Sequence, residues 1–191
     1  VRMMSNGPRN LIMVVTMPKE SLPVIRRTGR MCALAVLCAL LASVSAAAVT
    51  VGELAPDFAL PSLSGGNVRL SEHRGEVVLL TFWSSECAAC IAQLAALGNL
   101  QATYRSAGLV TLGVSVDDDL HSARRFANAH AVRFPLLLDR HKDVSRAYRI
   151  EALPTTVLID RRGRVRYLQS DYDGTGNTYL AQVRELLDDP L

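Results

Sequence analysis

Apolar positions along this chain keep two different rhythms, and the places where one gives way to the other mark its elements. Val77-Val78-Leu79-Leu80-Thr81-Phe82-Trp83 is apolar almost without a break, which suits a strand buried on both faces. Beyond it Ile91, Leu94, Leu97 and Leu100 recur at helical spacing, with Tyr104 one turn further on. That spacing predicts a helix over 87–105, closed by Ser106-Ala107-Gly108. Leu109 to Val116 is a second apolar strand ending at Asp117-Asp118-Asp119. Three acids in a row invite a metal-cluster reading. A helix predicted from Ser122 to Ala131 follows at once, so a strand-end loop and helix N-cap is the better one. Further strands are predicted at Phe134–Leu138, Thr155–Ile159 and Val165–Leu168, a short helix at Asp143–Tyr148 and a last helix over 177–187. Upstream, Asp57–Leu60 and Val68–Leu70 flank the turn signal Ser64-Gly65-Gly66-Asn67. Alternating strands and helices with a late hairpin at Arg162-Gly163 predict an α/β domain over 52–188: a central mixed β-sheet flanked by helices, with an N-terminal β-hairpin extension. No internal repeat or second domain is evident.

At 191 residues and 49% hydrophobic content, the chain can bury one ordinary core and still leave extensions. Its net charge of +3 misleads. Residues 1–46 hold six Arg/Lys and one acid, leaving 47–191 with fifteen basic and seventeen acidic residues, a net of −2. The basicity therefore lies in the leader and gives no reason to expect a nucleic-acid partner. Arg161-Arg162-Gly163-Arg164 is expected to be a solvated hairpin tip.

Arg26, Arg27 and Arg30 precede the uncharged, Leu/Ala/Val-rich stretch Met31–Val44, and Ser45-Ala46-Ala47-Ala48 follow. A basic start, an apolar middle and a small-residue exit describe an export signal over 26–48, with cleavage after Ala46 or Ala48. No charge occurs from Met31 through Gly52, about the length a membrane-spanning helix needs, so an uncleaved anchor is the rival. Either way the domain is expected in the periplasm or on the outer face of a bacterial cytoplasmic membrane. Residues 1–25 read as an uninformative extension, with Met17 the expected start of translation.

Cysteine usage narrows the chemistry. Cys32 and Cys38 lie in the apolar leader, so the domain holds only Cys87 and Cys90, two residues apart where the helix after the first long strand begins. They are too close in sequence to staple a fold. Zinc would need two more ligands, and His73, His121, His130 and His141 are scattered without ligand-like pairing. No metal and no cofactor are expected. An isolated thiol pair in an oxidising compartment is most economically a working redox couple, its rival an inert local disulfide. A first thiol meeting the unpaired N–H groups of a helix N-terminus is favoured as thiolate.

Gly52-x-x-Ala55-Pro56-Asp57-Phe58, then Phe82-Trp83 ahead of Cys-x-x-Cys, then Leu153-Pro154-Thr155-Thr156-Val157-Leu158-Ile159-Asp160-x-x-Gly163 form an ordered set. Over about 52–188 the chain resembles the TlpA/ResA-type thiol–disulfide oxidoreductases, exported or membrane-anchored proteins of thioredoxin fold related to the AhpC/TSA redoxins. The resemblance implies that Cys87 attacks a substrate disulfide and that Cys90 resolves the mixed disulfide. It implies a cis peptide bond before Pro154, opposite the thiol loop, leaving the backbone of Leu153 free to pair with an incoming peptide. Trp83 would either shield the intermediate or be a plain core aromatic. The implied partners are disulfide-containing protein substrates and a membrane thiol electron donor. An apocytochrome c haem-attachment pair, an oxidase copper-site pair and general periplasmic disulfides are all open as substrates.

The chain departs from that pattern near the thiols. Glu86 stands where the family commonly has tryptophan; facing the sulfur, it would oppose the thiolate by about 1 kcal/mol, as much as the helix end offers. Ala88-Ala89 occupy positions where proline is common, Gln93 replaces a glutamate suited to moving protons, and Ala95 replaces a further proline. Two other functions use the same thiols. A peroxiredoxin-like peroxidase finds Ser84 three residues before Cys87, but Leu80 occupies the proline position seven before it. A non-enzymatic copper carrier lacks Met or His beside the thiols. The expected function is an exported reductase of protein disulfides.

Overall fold

The computed structural model describes residues 49–189; the extension 1–25 and the expected leader 26–48 lie outside the described residues. In chain order come β1 (Ala59–Pro61), β2 (Asn67–Arg69), β3 (Val77–Trp83), α1 (Ala88–Tyr104), β4 (Leu109–Ser115), α2 (Leu120–Ala129), β5 (Leu136–Leu138), α3 (Asp143–Ala147), β6 (Thr155–Ile159), β7 (Val165–Gln169) and α4 (Asn177–Asp188). Five strands form one mixed sheet in the order β5-β4-β3-β6-β7, and β1 and β2 form a separate antiparallel hairpin. β3 runs parallel to β4 and antiparallel to β6.

All seven residues of β3 are buried, because the strand sits between neighbours and under helices on both faces. Its side chains alternate between two cores, as the pleat dictates. Val77, Leu79 and Trp83 join Leu94 and Leu97 of α1, Phe126 of α2 and Tyr179, Val183 and Leu186 of α4. Val78, Leu80 and Phe82 join Ala55, Phe58, Val144 and Tyr148 on the other side, below α3 and the N-terminal segment. The Tyr148 hydroxyl donates to the Pro56 carbonyl at 2.8 Å, tying that segment down.

Element boundaries shift where backbone groups find better partners. α2 starts two residues earlier than its apolar pattern suggests, because Asp119 caps it by accepting from the amides of His121 and Ser122 at 3.1 and 3.0 Å. The same bonds hold the Asp119 carboxyl below the usual range, led by that from His121. Leu70 opens a 3₁₀ turn, Leu70–His73, rather than closing β2. β5 begins only at Leu136, after Pro135, which has no N–H for a ladder.

The tip of the β6–β7 hairpin is tied down rather than simply solvated. Asp160 accepts from the amides of Arg162 and Arg164 at 3.0 and 2.8 Å, closing the turn. Arg161 reaches the carbonyls of Ala107 and Leu187, and Arg164 that of Gly52. Gly163 takes φ +79° and accepts from the Ala55 amide at 2.9 Å. A Cβ on it would lie 1.9 Å from a nitrogen of the Arg74 guanidinium. Gly163→Ala is therefore expected to destabilise the domain by about 1–2 kcal/mol, from the left-handed backbone and the displaced arginine together. Urea denaturation checks this; an unmoved midpoint would show that the turn relaxes freely.

Candidate active site

β3 delivers the chain to the loop 84–87, and Cys87 is the N-cap of α1. Its backbone is extended, φ −87° and ψ 100°, and its Sγ accepts from the Cys90 amide at 3.2 Å. A sulfur thus occupies the place where helices ordinarily put a serine or aspartate oxygen. No acidic residue lies in the first turn of α1 to offset its positive end. Cys87 and Cys90 are joined as a disulfide with Cα atoms 5.3 Å apart. The two sulfurs differ in access: Cys87 is half-buried, whereas Cys90 is 0% exposed and belongs to the core beneath α1.

The Leu153–Pro154 peptide bond is cis, as the resemblance implies. Register places it beside the thiol loop. Thr155 of β6 pairs with Phe82 of β3, so Pro154 and Trp83 leave adjacent strands at the same edge of the sheet. Leu153 is half-buried and packs against both cores.

The other site residues separate into different environments. Trp83 is 0% exposed and stacks on Phe126 with ring centroids 4.8 Å apart, inside the core that also holds Cys90. A Cβ at Gly113 would lie 3.2 Å from its Nε1, so the bare backbone of β4 makes room for the indole. Glu86 is exposed, where water and salt screen its charge from the sulfur. Gln93 is 0% exposed yet well partnered. Its Oε1 accepts from the Thr81 hydroxyl at 2.9 Å, and its Nε2 donates to the hydroxyls of Thr156 and Tyr179, both at 3.0 Å. Tyr179 in turn donates to the Asp171 carbonyl at 3.2 Å. One amide one turn past Cys90 thereby links α1 to β3, β6 and α4 through uncharged groups.

Asp117 is the site residue that pattern reading missed. Its carboxylate accepts from the Ser85 amide at 3.0 and 3.1 Å, from the Ser85 hydroxyl at 2.9 Å and from the Ser115 hydroxyl at 2.8 Å. It anchors the loop that carries Cys87. The three neighbouring acids therefore have three separate tasks. Asp119 caps α2, and Asp118 pairs with Lys142 at 2.7 Å, which holds its carboxyl below the usual range. Only the parallel register Trp83↔Ser115 brings Asp117 against the thiol loop, and no local signal announces that. Among the described residues no group of three His, Cys, Asp or Glu stands together as a metal cage.

Comparison with known proteins agrees with this geometry. The model of the AhpC/TSA family matches residues 51–168. The thiol–disulfide oxidoreductase ResA of Geobacillus kaustophilus (strain HTA426) is 39% identical over 121 residues, spanning 63% of this chain and 70% of that protein. ResA of Bacillus subtilis (strain 168) is 32% identical over 117 residues, spanning 61% and 65%. A Chlorobium tepidum structure assigned as thiol:disulfide interchange protein DsbE superposes with TM-score 0.70 at 31% identity, over 73% of this chain and 99% of that one. The thioredoxin domain of a Bacteroides vulgatus thiol-disulfide oxidoreductase superposes with TM-score 0.64 at 24% identity over 70% and 98%, a likeness of fold. The chain belongs to the AhpC/TSA family, has the thioredoxin-like fold, and is a thiol–disulfide oxidoreductase of ResA/DsbE type carrying a Cys87–Cys90 pair.

Proposed function

We propose that the protein is exported and reduces disulfides of other proteins, with Cys87 as nucleophile and Cys90 as resolving thiol. The observation that carries this reading is the asymmetry of the pair: Cys87 is half-buried at the helix N-cap, and Cys90 is fully buried behind it. Reduced Cys87, held as thiolate by the helix end, attacks a substrate disulfide. A bond forms between Cys87 Sγ and one substrate sulfur, the substrate S–S bond breaks, and the departing sulfur takes up a proton. Cys90 then loses its proton and attacks Cys87 Sγ. The substrate leaves as a dithiol, and its two electrons have come from the pair, now the Cys87–Cys90 disulfide. A membrane thiol donor returns two electrons and two protons to start the next cycle.

The remaining residues take supporting roles. The backbone of Leu153, at the cis bond, pairs with the substrate strand, and Pro154 keeps that edge open beside Cys87. Trp83 forms the floor beneath the loop. Gln93 holds the helix that carries both thiols, and being untitratable leaves the Cys90 proton to water. Glu86, in solvent, leaves the Cys87 thiolate nearly unopposed. The segment 26–48 acts as signal peptide or anchor and places the domain on the periplasmic side; among the described residues no helix is long and apolar enough to cross a membrane. A peroxidase reading gains nothing from the site, since Leu80 is a fully buried β3 residue in the place that chemistry gives to proline.

Cys90→Ser is expected to accumulate a covalent adduct on Cys87 that dithiothreitol releases, and Cys87→Ser to accumulate none. Both variants should lose at least about a hundredfold in turnover of a protein disulfide. Non-reducing electrophoresis with mass spectrometry reads the adduct. Its absence, with a wild type unable to cycle between dithiol and disulfide, would end the proposal. Asp117→Ala frees the loop ahead of Cys87 and is expected to slow exchange about three- to tenfold while lowering stability by about 1–2 kcal/mol. Stopped-flow rates together with urea midpoints test it, and an unaltered rate would show that the loop holds its shape without Asp117.

A further inference from the structure

Next to Leu153 lies a groove that the redox chemistry does not use. It is a cavity of about 530 Å³ whose lining includes Val116, Lys142, Arg146, Arg149, Glu151 and Leu153. The Lys142 ammonium donates to the Val116 carbonyl and pairs with Asp118, the neighbour of the loop anchor Asp117. The groove thus borders both Val116, next to the anchor of the thiol loop, and Leu153 of the cis-proline loop. A polypeptide with its disulfide at Cys87 and its backbone along Leu153 would continue into it.

The charge of this groove is out of step with its surroundings. Residues 47–191 carry a net −2, yet 140–151 hold four Arg/Lys against two acids. Three basic side chains line the cavity and Glu151 is its one carboxylate. Lys142 and Arg146 have exposed ion-pair partners in Asp118 and Asp143, with carboxylate side chains 90% and 75% exposed, which an incoming carboxylate could replace at little penalty. Arg149 is exposed and has no ion-pair partner among the described residues.

The backbone makes Arg149 more telling. It follows the C-cap of α3, Tyr148, and takes φ +51°. Its amide donates to the Arg146 carbonyl at 3.0 Å and the Ile150 amide to the Ser145 carbonyl at 2.9 Å, the Schellman pattern. That position favours glycine or asparagine, and an arginine occupies it against its conformational preference. A helix of five residues offers little dipole to reward a cation there.

We infer that this groove docks an acidic stretch flanking the disulfide of the substrate polypeptide, with Arg149 and Arg146 as the residues that select it. The inference rests on the reductase reading and assigns it a substrate class. Reduced full-length protein, freed of dithiothreitol, is mixed with three peptides that share one internal disulfide and differ only in an acidic, neutral or basic flank. At low ionic strength the acidic-flank peptide should oxidise the protein about tenfold faster than the basic one, with the neutral peptide between. That preference should collapse in about 1 M salt, where screening acts within about 3 Å. Arg149→Gly, which suits the left-handed backbone and so keeps the turn, should cut the acidic-to-neutral rate ratio at least about threefold, and Arg146→Gln should cut it too. Equal rates for the three peptides, or a preference that both variants leave intact, would overturn the inference. Failure of the protein to reduce any of the three would instead remove the reductase reading on which it stands.

Discussion

The central place of β3, parallel to β4 on one side and antiparallel to β6 on the other, is the constraint on which this molecule depends. Because β3 and β4 run the same way, both finish at the same edge of the sheet. Because β6 runs against them, it begins at that edge. Three stretches far apart in sequence therefore meet there: the thiol loop after Trp83, the turn with Asp117 after Ser115, and the cis-proline loop before Thr155. A sheet of any other order would scatter them. The seven-residue β3, buried from end to end, makes a slip of register costly, since one residue would exchange the contents of the two cores.

On that frame the redox pair acquires its asymmetry. The helix that starts at Cys87 must lay Leu94 and Leu97 on the sheet, and this carries Cys90 into the core with them. Cys87, one residue outside the helix, stays half-exposed with its sulfur against the Cys90 amide. Access and electrostatic support thus fall to the same atom. Beneath it the polar tie through Gln93 joins the thiol-bearing helix to the strand that follows Pro154, so the two walls of the site are held by one amide with no ionisable side chain in the chain of bonds from Thr81 through Gln93 to Thr156. Glu86, the feature that most threatened a thiolate on paper, lies in water.

Around this centre the charges are distributed with some economy. Asp117, Asp118 and Asp119 anchor a loop, pair with Lys142 and cap α2, each through different partners. Arg161 and Arg164 of the β6–β7 turn are bonded to neighbouring carbonyls, and Arg166 of β7 to carboxylates. Arg149 is different: it sits in a backbone conformation that favours glycine and faces the groove beside Leu153. That contrast separates a basic side chain serving the fold from one available to a partner.

Much of the architecture was legible in the chain. The unbroken apolar run of β3 and the spacing of Ile91, Leu94, Leu97 and Leu100 depend on local burial alone, and they marked the strand and helix that frame the thiols. The Cys-x-x-Cys at the junction identified the chemistry for the same reason, since a helix N-terminus acts on residues adjacent in sequence. The ends of α2 and β5 were less legible, because Asp119 sets one through the two amides it caps and Pro135 the other through the N–H it lacks. The role of Asp117, the tie made by Gln93 and the basic groove along α3 were not legible at all. Each joins groups that are distant in sequence: Ser85 with Asp117, Gln93 with Thr156 and Tyr179, the Val116 carbonyl with Lys142. Periodicity records which face of an element is buried; only the order and direction of the strands decide what that face meets.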